Sequence, residues 1–345
     1  MAYSTITKPS LHFNTKLYTG NGGTNAQTGV GFQPDWLWLK KRSATGHHFS
    51  FDAVRGADKR MVISDSSTAE SSPANYVSSF NTDGFTLGSD SDINANSATH
   101  VAWNWKANGQ GSSNTDGTIN STYTSVNTTS GFSIVSYTGT GSAATVGHGL
   151  GTTPSMVWIF NRTDGGNGHV FHKALGSTQY LLHASALGVQ TYAPVGIGSL
   201  TSSTFSVGTV GGVNGSSKNY VAYVFAEKKG YSKIGNYTGN DNANGTFVYT
   251  GFKPSFVLIK RTNASDNWYI YDNKRDGYNV DNNDLHPNNT DAESTDDKID
   301  LLSNGFKLRM ANNDVNGNGD TYIYYAVAAE PFVANVGNSI PATAR

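Results

Sequence analysis

The sequence repeats one pattern of short apolar and aromatic segments three times, and this repetition limits the folds open to the chain. The string Tyr-Thr-Gly begins at Tyr18, Tyr137 and Tyr237, so successive copies start 119 and then 100 residues apart. Internal repetition at a nearly fixed period is the signature of an array of like structural units. We therefore expect three units of roughly a hundred residues each.

Later landmarks keep the same order and nearly the same spacing to the end of each copy. The prolines that precede an apolar run are Pro34, Pro154 and Pro254, and the closing aromatic segments contain Trp103, Tyr223 and Tyr325. These offsets predict a first domain at 1–107 with an N-terminal arm, a linker at 108–129, domains at 130–229 and 230–333, and a C-terminal tail at 334–345. The Gly, Ser and Asn content of the linker indicates flexibility.

The apolar runs within each copy are short, rich in β-branched and aromatic residues, and bounded by Gly, Asn, Asp or Ser. Such runs are typical of β-strands, and no segment shows the 3.6-residue period of an amphipathic helix. The predicted fold class is all-β: three tandem antiparallel β-sandwich domains of jelly-roll or lectin-like type, with the first strand of each unit beside its last. Single helical turns are expected near 68–72 or 291–297, and residues 90–94 are expected to form a solvated hairpin tip.

Charge and composition exclude several classes of function. Charged residues make up 14% of the chain and the formal net charge is −1, so there is no basic face for a phosphate backbone and we expect no nucleic-acid partner. The absence of cysteine excludes disulfides, a thiol nucleophile and a cysteine-based zinc site. No apolar run approaches about 18 residues, so we expect no membrane insertion, and the N-terminal residues lack the apolar region of a secretory signal.

The repeats separate residues that serve the fold from residues that could serve a site, because a residue needed by the fold recurs in every copy. Trp103, Tyr223 and Tyr325 share one position, which favours packing in a core. Trp36 and Trp38 stand where the other copies have Met, Phe, Trp or Leu. Core or inter-domain packing is therefore favoured for both tryptophans over stacking on a sugar.

Paired acidic and basic residues follow one strand of the first copy. Asp52 and Arg55 are spaced to pair across a turn and stabilise it, and Glu70 lies downstream in an Ala-Glu-Ser segment. The third copy repeats these residues as Asp272, Arg275 and Glu293. A structural turn is the favoured interpretation. The alternative is a carboxylate couple for glycoside hydrolysis, which requires the two carboxyl groups to lie about 5–10 Å apart.

The middle copy lacks these residues and contains His169, His172 and His183 instead. His169 and His172 are three residues apart, so in a strand they point to opposite faces and do not share a metal. We therefore expect no metal site, no cofactor and no catalytic residue, and the chain has no P-loop, GxSxG or HExxH motif. If the copies have divided their labour, the middle copy is where a distinct contact is expected.

Several strings together resemble a repeat family of virion structural proteins common in tailed bacteriophages, especially marine ones. They are Tyr-Thr-Gly-Asn-Gly from Tyr18, Gly-Phe-Gln-Pro-Asp-Trp-Leu-Trp-Leu-Lys from Gly31, and the segments 83–89, 139–150 and 226–233. The likeness runs from about Tyr3 to Phe332. It implies a virion component that assembles in the host bacterial cytoplasm, is not an enzyme, and contacts other virion proteins of the tail, baseplate or capsid.

Three hypotheses follow from the residues and the resemblance. The first is a tail fibre or tail-associated appendage that contacts the host surface, including a surface glycan, and that forms a homo-oligomer. The second is a capsid decoration or head-fibre protein. The third is a virion glycan depolymerase, which would depend on Asp52, Glu70, Asp272 and Glu293.

Overall fold

The regular secondary structure of the protein is almost entirely antiparallel β-strand, which confirms the all-β prediction. The structure, a computed structural model, describes residues 4–275, 279 and 283–331. The tail predicted at 334–345 lies outside the described residues. None of the helices within the described ranges has the length and apolar character needed to cross a membrane.

The first unit pairs a five-stranded sheet, in the order β1-β8-β3-β4-β5, with a three-stranded sheet, β2-β7-β6. A 3-10 turn at Pro9–Leu11 precedes it. Its elements are β1 (Phe13–Thr19), β2 (Asn25–Gln27), β3 (Trp36–Lys41), β4 (His48–Asp52), β5 (Gly56–Val62), β6 (Val77–Asn81), β7 (Gly84–Leu87), α1 (Ser91–Asn94) and β8 (Thr99–Trp105).

The second unit contains a seven-stranded sheet, β15-β14-β13-β12-β17-β10-β9, and a two-stranded sheet, β11-β16. Its elements are β9 (Tyr123–Asn127), β10 (Phe132–Thr138), β11 (Ala144–Gly147), β12 (Met156–Asn161), β13 (His169–His172), β14 (Gln179–Leu182), β15 (Gln190–Thr191), a 3-10 turn (Ala193–Val195), β16 (Thr204–Val207), α2 (Gly211–Asn214) and β17 (Asn219–Phe225).

The third unit contains a four-stranded sheet, β18-β24-β20-β21, and a three-stranded sheet, β19-β23-β22. Its elements are β18 (Ser232–Thr238), β19 (Phe247–Tyr249), β20 (Phe252–Arg261), β21 (Trp268–Asp272), β22 (Ile299–Leu302), β23 (Gly305–Leu308) and β24 (Thr321–Pro331). In each unit the first repeated strand lies antiparallel beside the last, as the sequence predicts: β1 pairs with β8, β10 with β17 and β18 with β24.

The Tyr-Thr-Gly landmark recurs because it anchors the turn that precedes the last strand. The hydroxyl of Tyr18 donates to the backbone carbonyl of Ile93 at 2.7 Å. The side chain of the buried Asn94 donates to the carbonyl of Gly88 at 2.7 Å and accepts from the backbone N–H of Asn21 at 3.0 Å. In the second unit Tyr137 and Asn214 each make the equivalent bonds to the backbone, and in the third unit Tyr237 and Asn316 do so.

The helical turns differ from the prediction. They lie at Ser91–Asn94 and Gly211–Asn214, and not at 68–72 or 291–297. The first of them occupies the segment predicted as a solvated hairpin tip, and the side chain of Asp90 caps it by accepting from the backbone N–H of Asp92 at 2.8 Å. The turn forms because the buried Ile93 and Asn94 must both point inward over four residues.

The segment predicted as a flexible linker, 108–129, is folded against the second unit. Strand β9 lies within it and pairs with β10, and Ile119 is buried. Gly111 has a positive φ of 74°, and a Cβ there would lie 2.1 Å from the backbone oxygen of Thr124. The glycine therefore permits a close approach of two backbone segments, which composition alone does not distinguish from flexibility.

The central strands of the large sheets, such as β3, β17 and β20, are buried on both faces, because each sheet separates two cores. In β3, Leu37 and Leu39 pack into the core between the two sheets of the first unit. Trp36 and Trp38 point the other way, into a central core that takes residues from all three units. In this central core the ring centroid of Trp36 lies 5.9 Å from that of Trp158. The three large sheets therefore enclose one shared interior.

Candidate functional site

The carboxylates predicted to pair with arginine lie at the joint between the first and second units. Arg55 donates from its backbone N–H to Asp52 at 2.8 Å, from its side-chain Nε to the same carboxylate, and from Nη1 to Glu70 at 2.9 Å. Arg162 of the second unit donates twice to Glu70, at 2.9 and 2.7 Å. The structural-turn interpretation of Asp52 and Arg55 is confirmed, and the turn is also one end of an inter-unit clamp.

The same clamp joins the third unit to the first. Arg275 donates to Asp272 at 2.7 Å and to Glu293 at 3.1 Å. Glu293 also accepts two hydrogen bonds from Arg42 of the first unit, at 2.9 and 2.7 Å. These bidentate arginine–carboxylate pairs are charge-assisted and directional, so each fixes the position of one unit against the next.

The remaining joint, between the third and second units, has the same backbone hydrogen bond as the two clamps but no arginine or glutamate at the clamp positions. The backbone N–H of Val189 donates to the carbonyl of Thr262 at 2.8 Å. The equivalent bond runs from Glu70 to Arg162 at 2.9 Å and from Glu293 to Arg42 at 3.0 Å. Thr262 therefore stands in place of the clamp arginine and Val189 in place of its glutamate. A cleft of about 330 Å³ at this joint is lined by both residues.

The contacts close a ring, because the second unit clamps the first, the first clamps the third, and the third contacts the second. The unclamped joint is also the one with the shortest covalent connection, since β17 ends at Phe225 and β18 begins at Ser232. A short tether keeps two surfaces at high effective concentration. The charged clamps therefore lie at the two joints where no short covalent connection holds the units together.

A double-mutant cycle on Arg162→Thr and Glu70→Val tests the clamp. The two replacements are the residue types found at the same positions of the unclamped joint, Thr262 and Val189. Each single change is expected to lower the free energy of unfolding by about 1–3 kcal/mol, because it leaves a partly buried charge with fewer partners. The double variant should lose less than the sum, with a coupling of about 0.5–3 kcal/mol, measured by urea denaturation. The same cycle on the more exposed pair Arg309 and Asp300 is the control, and equal couplings would contradict the clamp.

The carboxylates in these clamps are engaged by arginine. Burial acts to raise the pKa of Glu70, but the hydrogen bonds from Arg162 and the charge of Arg55 outweigh it, so the pKa is lowered. Arg55 lies between Asp52 and Glu70 and is bonded to both. A carboxylate couple of the glycosidase type needs one acid whose pKa is raised, and Glu70 has the opposite shift.

The shared aromatic position lies at the centre of the ring, as the core-packing interpretation predicts. The hydroxyl of Tyr223 donates to Asp52 of the first unit at 2.8 Å, and the indole N–H of Trp103 donates to Asp272 of the third unit at 2.9 Å. Trp36 stacks on Tyr223 with ring centroids 4.3 Å apart. Trp36 and Trp38 are fully buried, so the sugar-stacking alternative is wrong for both.

Of the middle-unit histidines His169, His172 and His183, the first is partly exposed and the other two lie inside the protein. His172 and His183 are fully buried, and burial lowers the pKa of His169 and His172 to about 4 and that of His183 to about 3. The ring of His183 lies 5.0 Å from that of Trp158. Within the described ranges, no three His, Asp or Glu side chains are grouped to hold a metal ion. A distinct surface contact of the middle unit is therefore not made by His172 or His183.

Two exposed aromatic side chains on the third unit were missed by the sequence reasoning. Phe247 and Tyr249 alternate along the edge strand β19 with side chains 44% and 54% exposed, while Val248 between them is buried. From the strand pairing, the equivalent positions are Ala26 with Thr28 and Thr145 with Gly147. The signal was present in the sequence, because these aromatics occur in one copy only and alternate with a core valine.

Tyr249 lines a cleft of about 390 Å³ between the β17–β18 connection, with the first residues of β18, and the turn from β19 to β20. Glu227 lies on the opposite wall, where it accepts from Lys173 at 2.5 Å and from the backbone N–H of Ile234 at 2.8 Å. Burial acts to raise the pKa of Glu227, but the hydrogen bonds from Lys173 and Ile234 and the charges of Lys173 and Lys233 together outweigh it, so the pKa is lowered. The other lining residues are Lys229, Gly230, Ser232, Lys233, Thr250 and Gly251.

The fold and these surfaces define a single-chain ring of β-sandwich units with a cleft beside the exposed Tyr249. The chain belongs to the family described as a domain of unknown function (DUF7483), which matches residues 8–331. The match spans all three units and both clamps. No curated protein and no solved structure matches the chain.

Proposed function

We propose that this protein is a non-enzymatic structural component of a tailed-bacteriophage virion, carried as a tail fibre or tail-associated appendage that contacts the host surface. The observation that carries the proposal is the closed ring: one chain packs three β-sandwich units around one aromatic core and exposes the neighbouring aromatics Phe247 and Tyr249 on the third unit. The resemblance of its repeat strings to virion proteins gives the class, and the ring gives a physical reason for it.

A body of this kind is suited to work outside a cell. The central core contains five of the most buried large side chains, Trp36, Trp38, Trp103, Trp105 and Trp158, and it replaces the disulfides that a cysteine-free chain lacks. The two clamps join residues that lie 92 and 251 positions apart along the chain. Opening any unit would expose the common interior, so the units are expected to unfold together and to resist proteolysis.

The proposed partners are other virion proteins of the tail or baseplate, and a host-surface glycan. Assembly takes place in the host bacterial cytoplasm, and the chain acts as a homo-oligomer on the particle. The surface that contacts the virion is proposed to be separate from the exposed aromatics of β19, since an appendage that bridges two bodies needs two faces.

Capsid decoration is the second candidate, and the ring also favours it. Three like units in one chain match the shape of a local threefold position on a capsid, which a single molecule could occupy. The depolymerase hypothesis receives no such support, because Asp52 and Glu70 are both bound to Arg55.

Gold-labelled antibody against the protein, applied to intact virions of the phage that encodes it, tests the proposal. Label on the tail is the expected result, and label on the head would overturn the tail assignment in favour of capsid decoration. Label on neither, with the protein detected in the lysate but absent from purified particles by mass spectrometry, would overturn both. Virions incubated with pre-immune serum provide the control.

A further inference from the structure

We propose that the cleft beside Tyr249, here called the Tyr249 cleft and lined by Glu227, Lys229, Gly230, Ser232, Lys233, Tyr249, Thr250 and Gly251, binds a pyranose saccharide. The proposal deepens the host-contact function and rests on it only for the source of the sugar. The binding itself is a property of the purified chain. It is argued from the aromatic wall, the polar wall and the size of the cleft.

The aromatic wall is placed where it has no use in the fold. Tyr249 and Phe247 point outward from β19, and Val248 alone of the three residues packs into the core of the third unit. The other two units fold the same strand with Ala, Thr or Gly at these positions. Of the two aromatics only Tyr249 lines the cleft, and Phe247 extends the exposed aromatic surface beside it. Neighbouring exposed aromatics that the fold does not require indicate a binding surface.

The polar wall has the donors and acceptors that a sugar edge needs. The carboxylate of Glu227 is held in its ionised form by Lys173 at 2.5 Å and Lys233 at 3.5 Å, so it is an acceptor oriented by its neighbours. Lys229 and Lys233 also line the cleft and carry ammonium groups, whereas the hydroxyl of Ser232 accepts from the backbone N–H of Lys228 at 3.0 Å. A pocket with one apolar surface and a few fixed polar groups is typical of small-molecule sites.

A pyranose ring combines the two properties that these walls require. Its C–H face packs on an aromatic ring, while its hydroxyl groups bond to carboxylate and ammonium groups at the edge. A purely apolar partner would bury the charges of Glu227 and Lys233 without hydrogen-bond partners of its own, which is costly. The volume of about 390 Å³ also falls in the range of small-ligand pockets and suits one or two sugar rings.

The test is saturation-transfer difference NMR on the full chain with methyl glucoside, N-acetylglucosamine and glucuronate as probes. Saturation transfer to the ring protons of at least one probe is expected for the native chain. Tyr249→Ser should weaken that binding by about tenfold or more, since aromatic anchors dominate such contacts. Tyr249→Phe keeps the ring and should retain most of the binding. Tyr192→Ser is the matched control, because Tyr192 is 52% exposed and lies outside the cleft.

The outcomes separate the site from the proposed function. No transfer to any probe, or equal transfer in the native chain and Tyr249→Ser, would overturn the saccharide site whatever the location of the protein on a virion. Loss of transfer in Tyr192→Ser as well would also overturn it, because the effect would not belong to the cleft. A thermal melt of each variant confirms that folding is intact. Virion labelling addresses the location independently of all of these results.

Discussion

Replacing Arg55 by leucine is expected to lower the free energy of unfolding by about 3–5 kcal/mol. The Arg55 and Asp52 side chains are both fully buried, so the substitution leaves the carboxylate of Asp52 without its counter-charge. It also removes the donors to Glu70 and to the carbonyl of Ser50. Urea denaturation at neutral pH measures the change.

The second unit supplies the rescue for this variant. It carries His172 and Leu175 where the first unit has Asp52 and Arg55, so it folds with no buried ion pair at that turn. Adding Asp52→His to Arg55→Leu should recover a large part of the lost stability, because the uncompensated carboxylate is removed. Arg309→Ala, at an arginine whose side chain is 44% exposed, is the control and should cost less than about 1 kcal/mol. A loss for Arg55→Leu no larger than that of the control would contradict the argument.

Acidification is expected to unfold the protein over a narrow pH range, because several histidines are buried in neutral form. His48, His100, His172 and His183 are fully buried, and burial lowers the pKa of His100 and His172 to about 4 and that of His183 to about 3. The pKa of His48 is lowered as well. In the unfolded chain the pKa of histidine is about 6.5.

The sign follows from proton binding. Above pH 6.5 these histidines are neutral in both states and contribute no pH dependence, whereas between about 6.5 and 4 the unfolded chain binds more protons. Each histidine therefore lowers the free energy of unfolding by up to about 1.4 kcal/mol for every pH unit of acidification in that window. Four such histidines together lower it by up to about 5 kcal/mol per pH unit. The stabilisation from Glu70, whose pKa is lowered, is present above its unfolded pKa and is lost at still lower pH.

Thermal melting from pH 8 to pH 4 measures this dependence, and the melting temperature should fall steeply below about pH 6. His183→Leu is the informative variant, because neither ring nitrogen of His183 has a hydrogen-bond partner in the part of the chain that the structure describes. Its removal should flatten the slope by up to about 1.4 kcal/mol per pH unit. A melting temperature that stays constant from pH 7 to pH 5 would contradict the prediction.

The features that could be predicted from the sequence depend on local pattern and on the repeat. Short runs of β-branched and aromatic residues predict strands because their period of two is set by each strand alone. The pairing of Asp52 with Arg55 spans three residues and needs only a turn. Burial of Trp36 and Trp38 followed from the apolar residues at the same positions in the other copies. None of these inferences requires knowledge of how the units pack.

The features that could not be predicted depend on contacts between distant parts of the chain. Arg162 meets Glu70 across 92 residues, and Arg42 meets Glu293 across 251. The sequence indicated a hydrolytic couple as an alternative for Glu70, since nothing local shows that an arginine from another unit would occupy its carboxylate. The Tyr249 cleft likewise joins β19 to the connection after β17, which no local pattern relates.

The repeat in the sequence therefore established that the chain is all-β and that each unit begins and ends on paired strands, because hydrophobic period and recurrence act within a unit. The tertiary structure decided that the units close into a ring, that two joints carry an arginine–glutamate clamp and the third does not, and that Tyr249 lines a cleft at the surface. Those properties arise from side chains that meet across the sequence. Thr262 and Val189 show the difference, since neither is unusual alone and only their contact identifies them as the neutral counterpart of a clamp.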